Sequence, residues 1–178
     1  GLTIPSRLHS TLTYQKPTLV DADHPFSLKM KELDILEFPD AKLRKKAKKI
    51  KDITRAIESL ADNMAYTMYK NDGIGLAATQ VNKHKRMIVM DTSPERDDLY
   101  VMINPSIINK RGETKTKEAC LSVPGMRIPA TRSETIVVEY TDLSGVEIKQ
   151  EFNDIESYCI QHEVDHLNGK LIIDFITN

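Results

Sequence analysis

The strongest periodic stripe in the chain is Ile53, Ile57, Leu60, Met64 and Met68, widened by Ala61 and Ala65. Apolar side chains at steps of three and four share one face of a helix, so the spacing predicts a core-facing helix over 53–70. Asn71-Asp72-Gly73 supplies its stop. Strand-like runs follow at 86–91 and 100–104, and again at 134–140 and 146–152. The last two flank Asp142-Leu143-Ser144-Gly145, a turn signal, and predict a hairpin. A second helical pattern closes the chain. Ile155, Cys159, His162 and His166 repeat at helical spacing, Asn153-Asp154 offers an N-cap, and Gly169 offers a stop. Helix, mostly antiparallel strands, then helix is the order of an α+β domain whose sheets pack around a central helix.

Composition narrows the setting. At 178 residues the chain is long enough for one well-filled core. Its net charge of −1 implies no polyanionic partner for the chain as a whole. No apolar run approaches the roughly 20 residues needed to span a bilayer, and the charged-then-apolar pattern of a secretory leader is not found in these residues, so none is expected. Two cysteines, Cys120 and Cys159, argue against a disulfide framework and for a reducing compartment. Residues 1–29 carry scattered prolines and little periodicity, and they read as an irregular extension before a catalytic domain over 30–178. The stretch 42–51 is strongly basic, with Leu43, Ala47 and Ile50 as its apolar positions. It is expected to be a solvated short helix and loop with those three side chains turned inward. An RNA or ribosome contact is the competing reading, and no aromatic residues interleave for base stacking.

The chemistry concentrates in His162-Glu163-Val164-Asp165-His166. Imidazoles at i and i+4 share a helix face and can reach one ion, and the intervening glutamate can handle the proton of a water on that ion. A catalytic site of this kind takes three protein ligands. The downstream position that supplies a third histidine in metzincin-type proteases is Ile172 here, and the only carboxylate side chain after His166 is Asp174. The third ligand is therefore expected upstream. His9, His24 and His84 sit in polar surroundings and read as surface residues, and Cys159 reads as a small buried apolar residue. Cys120, in Glu118-Ala119-Cys120-Leu121-Ser122, could complete a Cys-His-His set as a thiolate, and the missing ligand favours it over plain packing. A Cys120–Cys159 disulfide would remove that thiolate.

Glu118-Ala119-Cys120-Leu121-Ser122, Gln161-His162-Glu163-Val164-Asp165-His166 and Gly73-Ile74-Gly75-Leu76-Ala77-Ala78-Thr79-Gln80 together resemble the three signature motifs of peptide deformylases, in that family's order. The similarity runs from about Leu33 to about Ile176, with Ala119 where the family usually has glycine. The resemblance implies a hydrolase that removes the formyl group from the N-terminal formylmethionine of newly made peptides and releases formate. It implies Cys120, His162 and His166 as metal ligands and Glu163 as general base. Gln80 and the Leu121 backbone N–H would stabilise the oxyanion. It further implies one divalent ion, Fe(II) physiologically, with Zn, Ni or Co able to replace it. Gly73, Ile74 and Gly75 would pair with the peptide as an added strand. Ile74, Ile155, Tyr158 and Cys159 are candidates for the methionine pocket, Ala119 would lie beside the substrate, and Arg127 could contact the peptide beyond methionine. Asp165 is either a carboxylate orienting a histidine ligand or an exposed helix acid.

The expected partner is an N-formylated nascent peptide, with transient association with the ribosome, no membrane and no specific nucleic-acid binding. A monomer in bacterial or host cytoplasm, or in an organelle stroma or matrix, is expected. Ending at Asn178, the chain resembles a minimal form without the C-terminal helix of many bacterial members. The rival readings are a zinc endopeptidase, resting on HExxH alone, and a metal-bound interaction module without activity. Intact Glu163 and Gln80 argue against the second.

Overall fold

The first long helix, α1 (Arg55–Lys70), starts two residues after the beginning of its stripe. Thr54 caps it, its side chain accepting from the Ile57 N–H at 3.3 Å, so Ile53 packs beside the helix instead of within it. Asp72, in the left-handed region at φ 56°, turns the chain out of α1. The computed structural model describes residues 30–176. The extension assigned to 1–29, with His9 and His24, lies outside the described residues.

Strands β1 (Gly75–Ala77), β2 (Met87–Met90), β3 (Tyr100–Arg111), β6 (Thr135–Thr141) and β7 (Glu147–Asn153) form a five-stranded antiparallel sheet in the order β1-β2-β3-β6-β7. Strands β4 (Thr114–Cys120) and β5 (Val123–Arg132) form a separate antiparallel ribbon. The second helix, α2 (Asp154–Leu167), carries the histidines. Short 3₁₀ turns lie at Ala41–Arg44, Ala78–Val81 and Ile172–Phe175.

β2 is buried at all of its positions, because it is covered on both faces. Met87 and Val89 point into the core built on α1, while Ile88 and Met90 point into the core built on α2. β3 divides in the same way, Val101 and Ile103 toward α1, Tyr100 and Met102 toward α2. The period-2 side-chain alternation of a strand thus places the two helices on opposite sides of one sheet. A third cluster, Val123, Ile128 and Ile172, fastens the ribbon to the C-terminal 3₁₀ turn.

The predicted hairpin is present as β6–β7, in register from Thr135↔Asn153 to Thr141↔Glu147. Asp142 Oδ1 holds its turn, accepting from Ser144 N, Ser144 Oγ and Val146 N at 2.7–3.0 Å. Leu43, Ala47 and Ile50 are buried, as the basic stretch led one to expect, although only Ala41–Arg44 is helical. Two features differ from the sequence reading. β3 continues through Pro105 to Arg111 by way of register shifts, beyond the expected end at 104. The β4–β5 ribbon was read only as a compact segment. β4 alternates half-buried Thr114 and Thr116 with exposed Lys115 and Lys117, so its inward face carries no apolar signal. Among the described residues no helix is long and apolar enough to cross a membrane.

Candidate metal centre

α2 begins where Asn153 leaves β7, but the Asn153 side chain does not cap it. Its Oδ1 accepts instead from Thr135 Oγ1 at 2.8 Å, fastening the helix start to β6. The helix ends at Asn168 and Gly169, the latter at φ +77° with its N–H donating to the His166 carbonyl at 3.0 Å. Between these ends, His162 and His166 project from one face, their ring centroids 4.9 Å apart. They are 8% and 1% exposed, and Glu163 beside them is 4% exposed.

Cys120 ends β4. It pairs with Val123 across Leu121-Ser122, and that turn swings its sulfur over α2. Cys120 Sγ lies 3.3 Å from His166 Nε2, and His166 Nε2 lies 3.2 Å from His162 Nε2. The three donor atoms all fall within 4.8 Å of one another and could hold a metal ion. Tetrahedral ligands at about 2.0–2.3 Å from an ion stand roughly 3.3–3.7 Å apart, so the donors fit one small cation. Both cysteines are free thiols, so the alternative disulfide is not formed.

The surrounding charges also fit a cation. His162 Nδ1 is 2.9 Å from Glu118 Oε1, which leaves Nε2 to face the cage. Glu118 in turn accepts from Arg132 Nε at 2.9 Å, from Arg132 Nη2 at 2.7 Å and from Thr116 Oγ1 at 2.6 Å. Burial alone would raise the Glu118 carboxyl, but these donors hold it well below the ordinary carboxylate range. Burial pulls His162 down, yet Glu163, Cys120 and Glu118 overcome it and lift the ring to about 10. Burial, aided by the charge on His162, pushes His166 well below its ordinary value, so its ring is neutral and suited to ligation. Burial raises Glu163 to about 7, and its Oε1 has no hydrogen-bond partner. Two carboxyls, Glu118 and Glu163, lie beside the three donors out of water, and a dication bound there would replace the proton that His162 otherwise carries.

Gln80, in the turn after β1, faces the same cage. Its Oε1 accepts from the Ala77 N–H at 2.9 Å, which fixes the amide so that Nε2 points to Ser122 Oγ at 3.0 Å and Cys120 Sγ at 3.6 Å. Gly75 lies against α2: a Cβ there would stand 2.6 Å from Glu163 Oε2 and 2.6 Å from Cys159 Sγ. Gly73 is close to Leu121, whose Cδ1 would lie 3.1 Å from a Cβ on it. The three sequence motifs therefore meet at one place. Cys159 is buried, its thiol 3.7 Å from the Ile74 carbonyl, and burial raises its pKa well above the ordinary value. Tyr158 is half-buried, while Ile74 is 39% and Ile155 53% exposed, at the rim and not in the interior.

Arg127 is exposed on β5. Ala119 sits exposed at the irregularity between Glu118 and Cys120 and is not among the positive-φ residues, so no strain attaches to its methyl group. Asp165 accepts from Arg132 Nη1 at 2.7 Å; it is neither a free surface acid nor a direct partner of a histidine. His84 is remote from the cage, with Nε2 3.0 Å from the Lys42 carbonyl. Ile172 is buried against Val123 and Ile128.

The sequence reading missed Glu118 and Arg132 as members of the centre. Glu118 carried a signal, since residues i and i+2 of a strand face the same way and Cys120 was already a candidate. Arg132 carried none.

The family described as Polypeptide deformylase matches residues 32–178. The peptide deformylase of Stenotrophomonas maltophilia (strain K279a) is 51% identical over 148 residues, which is 82% of this chain and 87% of that protein. That of Tolumonas auensis is 49% identical, over 83% of this chain and 89% of its own length. The crystal structure of a Legionella pneumophila peptide deformylase superposes with a TM-score of 0.79 at 36% identity, covering 81% of this chain and 85% of that one. The Ehrlichia chaffeensis peptide deformylase in complex with actinonin gives 0.79 at 37%, covering 82% and 89%.

Proposed function

Because this chain belongs to the polypeptide deformylase family of metallohydrolases, which remove the formyl group from the amino end of new peptides, we propose that Glu163 is the general base of that hydrolysis in a Cys120–His162–His166 metal site. The observation that carries the proposal is the convergence of Cys120 Sγ with both Nε2 atoms, beside a buried Glu163 whose Oε1 has no partner. A divalent ion held there would lower the pKa of a water from about 16 towards about 7 and polarise the formyl carbonyl. Fe(II) is the proposed ion, and the Cys-His-His set also suits Zn, Ni or Co.

Glu163 takes the proton of the attacking water and later delivers it to the departing amine. Gln80 Nε2, aimed by its own carbonyl's bond to Ala77, donates to the developing oxyanion, with the Leu121 backbone N–H as second donor. β1 is an outer strand of the sheet, and an extended peptide would pair along its free edge at Gly75 and the preceding Ile74, beside Gly73, whose N–H and carbonyl are already bonded to Met68 and Arg96. Gly75 lets that strand lie close against α2, because a Cβ there would collide with Cys159 and Glu163. Ile74, Ile155, Tyr158 and Cys159 would border the methionine side chain, with Ala119 and Arg127 along the following residues. The catalytic domain is 30–178, and its substrate is an N-formylated nascent peptide.

The test is formate release from a formyl-Met-Ala peptide with Fe(II) or Ni(II) under anaerobic conditions, for the parent chain and Glu163→Gln. Release that collapses in the variant while metal content is retained supports the base assignment. Equal release by both would remove Glu163 from that role, and no release from metal-loaded parent protein would remove the activity.

A further inference from the structure

Two basic segments far apart in sequence are joined side by side. The Lys48 N–H donates to the His84 carbonyl at 2.9 Å, and the Arg86 N–H donates to the Lys48 carbonyl at 2.9 Å. This makes a parallel bridge that sets Lys48 directly beside Lys85. Arg86 holds the junction to the end of α2, donating to the Ala47 and Leu167 carbonyls at 3.2 Å and to Asn168 Oδ1 at 2.9 Å. Leu43, Ala47 and Ile50 point inward, so the lysines between them point out.

The result is a ridge of exposed ammonium groups: Lys45, Lys46, Lys48, Lys49 and Lys51 on one segment, Lys83 and Lys85 on the other. Among the described residues, Lys42 pairs with Asp40 and Arg44 with Asp174, while none of those lysines has a carboxylate partner. Like charges set opposite one another across a β-bridge repel, so the bare ridge is unfavourable in the absence of an anion. A chain of net charge −1 nonetheless gathers them on one face.

We propose that this ridge docks the phosphate backbone of duplex RNA. Charge complementarity calls for a polyanion. The apolar side chains of the segment are buried, so it lacks the anchors with which proteins enter a lipid surface. It has no aromatic residue on which unpaired bases would stack, which favours a duplex backbone over a single strand. The choice of RNA over DNA rests on the reading of the substrate as a newly made peptide, which emerges from an RNA-built machine. Binding is independent of base sequence, since phosphate contacts position a protein without reading bases.

The test is fluorescence anisotropy of the full chain with a labelled RNA duplex of about 20 base pairs, from about 50 to 200 mM salt. Lys48→Glu/Lys85→Glu is compared with Lys110→Glu/Lys149→Glu, an equal change of net charge on exposed positions of β3 and β7. The ridge variant is expected to bind about tenfold or more weakly, with the salt slope reduced by about 2, while the control pair changes little. Circular dichroism and formate release serve as checks that both variants remain folded. Absence of binding at low salt overturns the proposal. So does an equal loss in both variants, which would make the effect one of net charge, or equal affinity for duplex DNA, anionic vesicles or polyglutamate. Because binding is read without turnover, failure here is separable from failure of the deformylase mechanism.

Discussion

Glu118 Oε1 lies 2.9 Å from His162 Nδ1, and this contact ties the β4–β5 ribbon to the histidine helix at the point where the two supply their metal-ligating candidates. Glu118 is held by Arg132, and Arg132 returns to the same helix through Asp165. The loop strand–arginine–helix fixes the imidazole before any ion arrives.

Breaking that loop is expected to be severe. The side chains of Arg132 and Glu118 are 5% and 10% exposed, so Arg132→Met would leave a buried carboxylate without its cation. A loss of about 3–5 kcal/mol in urea unfolding is expected, with metal affinity about 10- to 100-fold weaker. A midpoint unchanged from the parent chain would show that the network contributes nothing to folding.

Gly75 has no positive φ, so its role is room, not backbone freedom. Gly75→Ala would press a methyl group to 2.6 Å from both Glu163 Oε2 and Cys159 Sγ. Displacement of the proposed base, Glu163, by about 1 Å is expected to lower kcat about 100-fold. Metal content should stay at the parent level, which separates a misplaced base from a damaged cage.

Gln80→Leu removes the amide that faces the cage while preserving bulk. The expected loss in kcat is about 100- to 1,000-fold, with metal content unchanged by elemental analysis. A change confined to KM would instead assign Gln80 to substrate binding.

Gly169 combines φ +77° with a Cβ position only 2.4 Å from the Arg44 backbone oxygen. Alanine there meets both strain and a backbone clash, so destabilisation of about 2 kcal/mol or more is expected. That corresponds to a fall in Tm of roughly 5 °C or more.

The Arg44–Asp174 pair predicts a small acid-dependent effect. Hydrogen bonds from Arg44 lower the Asp174 pKa. A depressed folded-state pKa stabilises above the unfolded value of about 3.9 and is lost as pH falls through the folded one. The side chains are 41% and 34% exposed, so solvent screening limits the gain to below about 1 kcal/mol. Asp174→Asn should therefore be slightly less stable than the parent at pH 7, with the gap closing below the ordinary carboxylate range and shrinking in high salt.

The sequence revealed those parts of the fold that rest on local rules. The α1 stripe, the Asp142 turn and the i,i+4 histidines are set within a few residues of chain. Cys120 was marked by the missing third ligand and Gly73–Gln80 through a family motif, and the structure gathers them at the histidines. What escaped depended on distance or depth. Arg132 reaches Asp165 across 33 residues of chain, with no pattern to mark the pairing. Ile155 lies on the stripe of Cys159, His162 and His166, yet it is 53% exposed whereas His166 is 1% exposed, because the stripe runs from the surface into the interior. Periodicity gives the direction of a side chain but not how far under the surface its turn of helix lies. β3 passed Pro105 through a register shift, where a proline argues against continued pairing.

Cys120 and His166 stand 46 residues apart in the chain and belong to different structural layers. With the ribbon undocked, only the helix pair would remain, a two-toothed chelate open to water and easily exchanged. In the proposed Cys120–His162–His166 site, full chelation would require the ribbon's arrival, so retention of an ion would report that the fold has closed. Exchange of metal with the buffer should accordingly keep time with the opening of β4–β5, and a chain still emerging, with Cys120 made but α2 not yet made, would hold no ion to misuse.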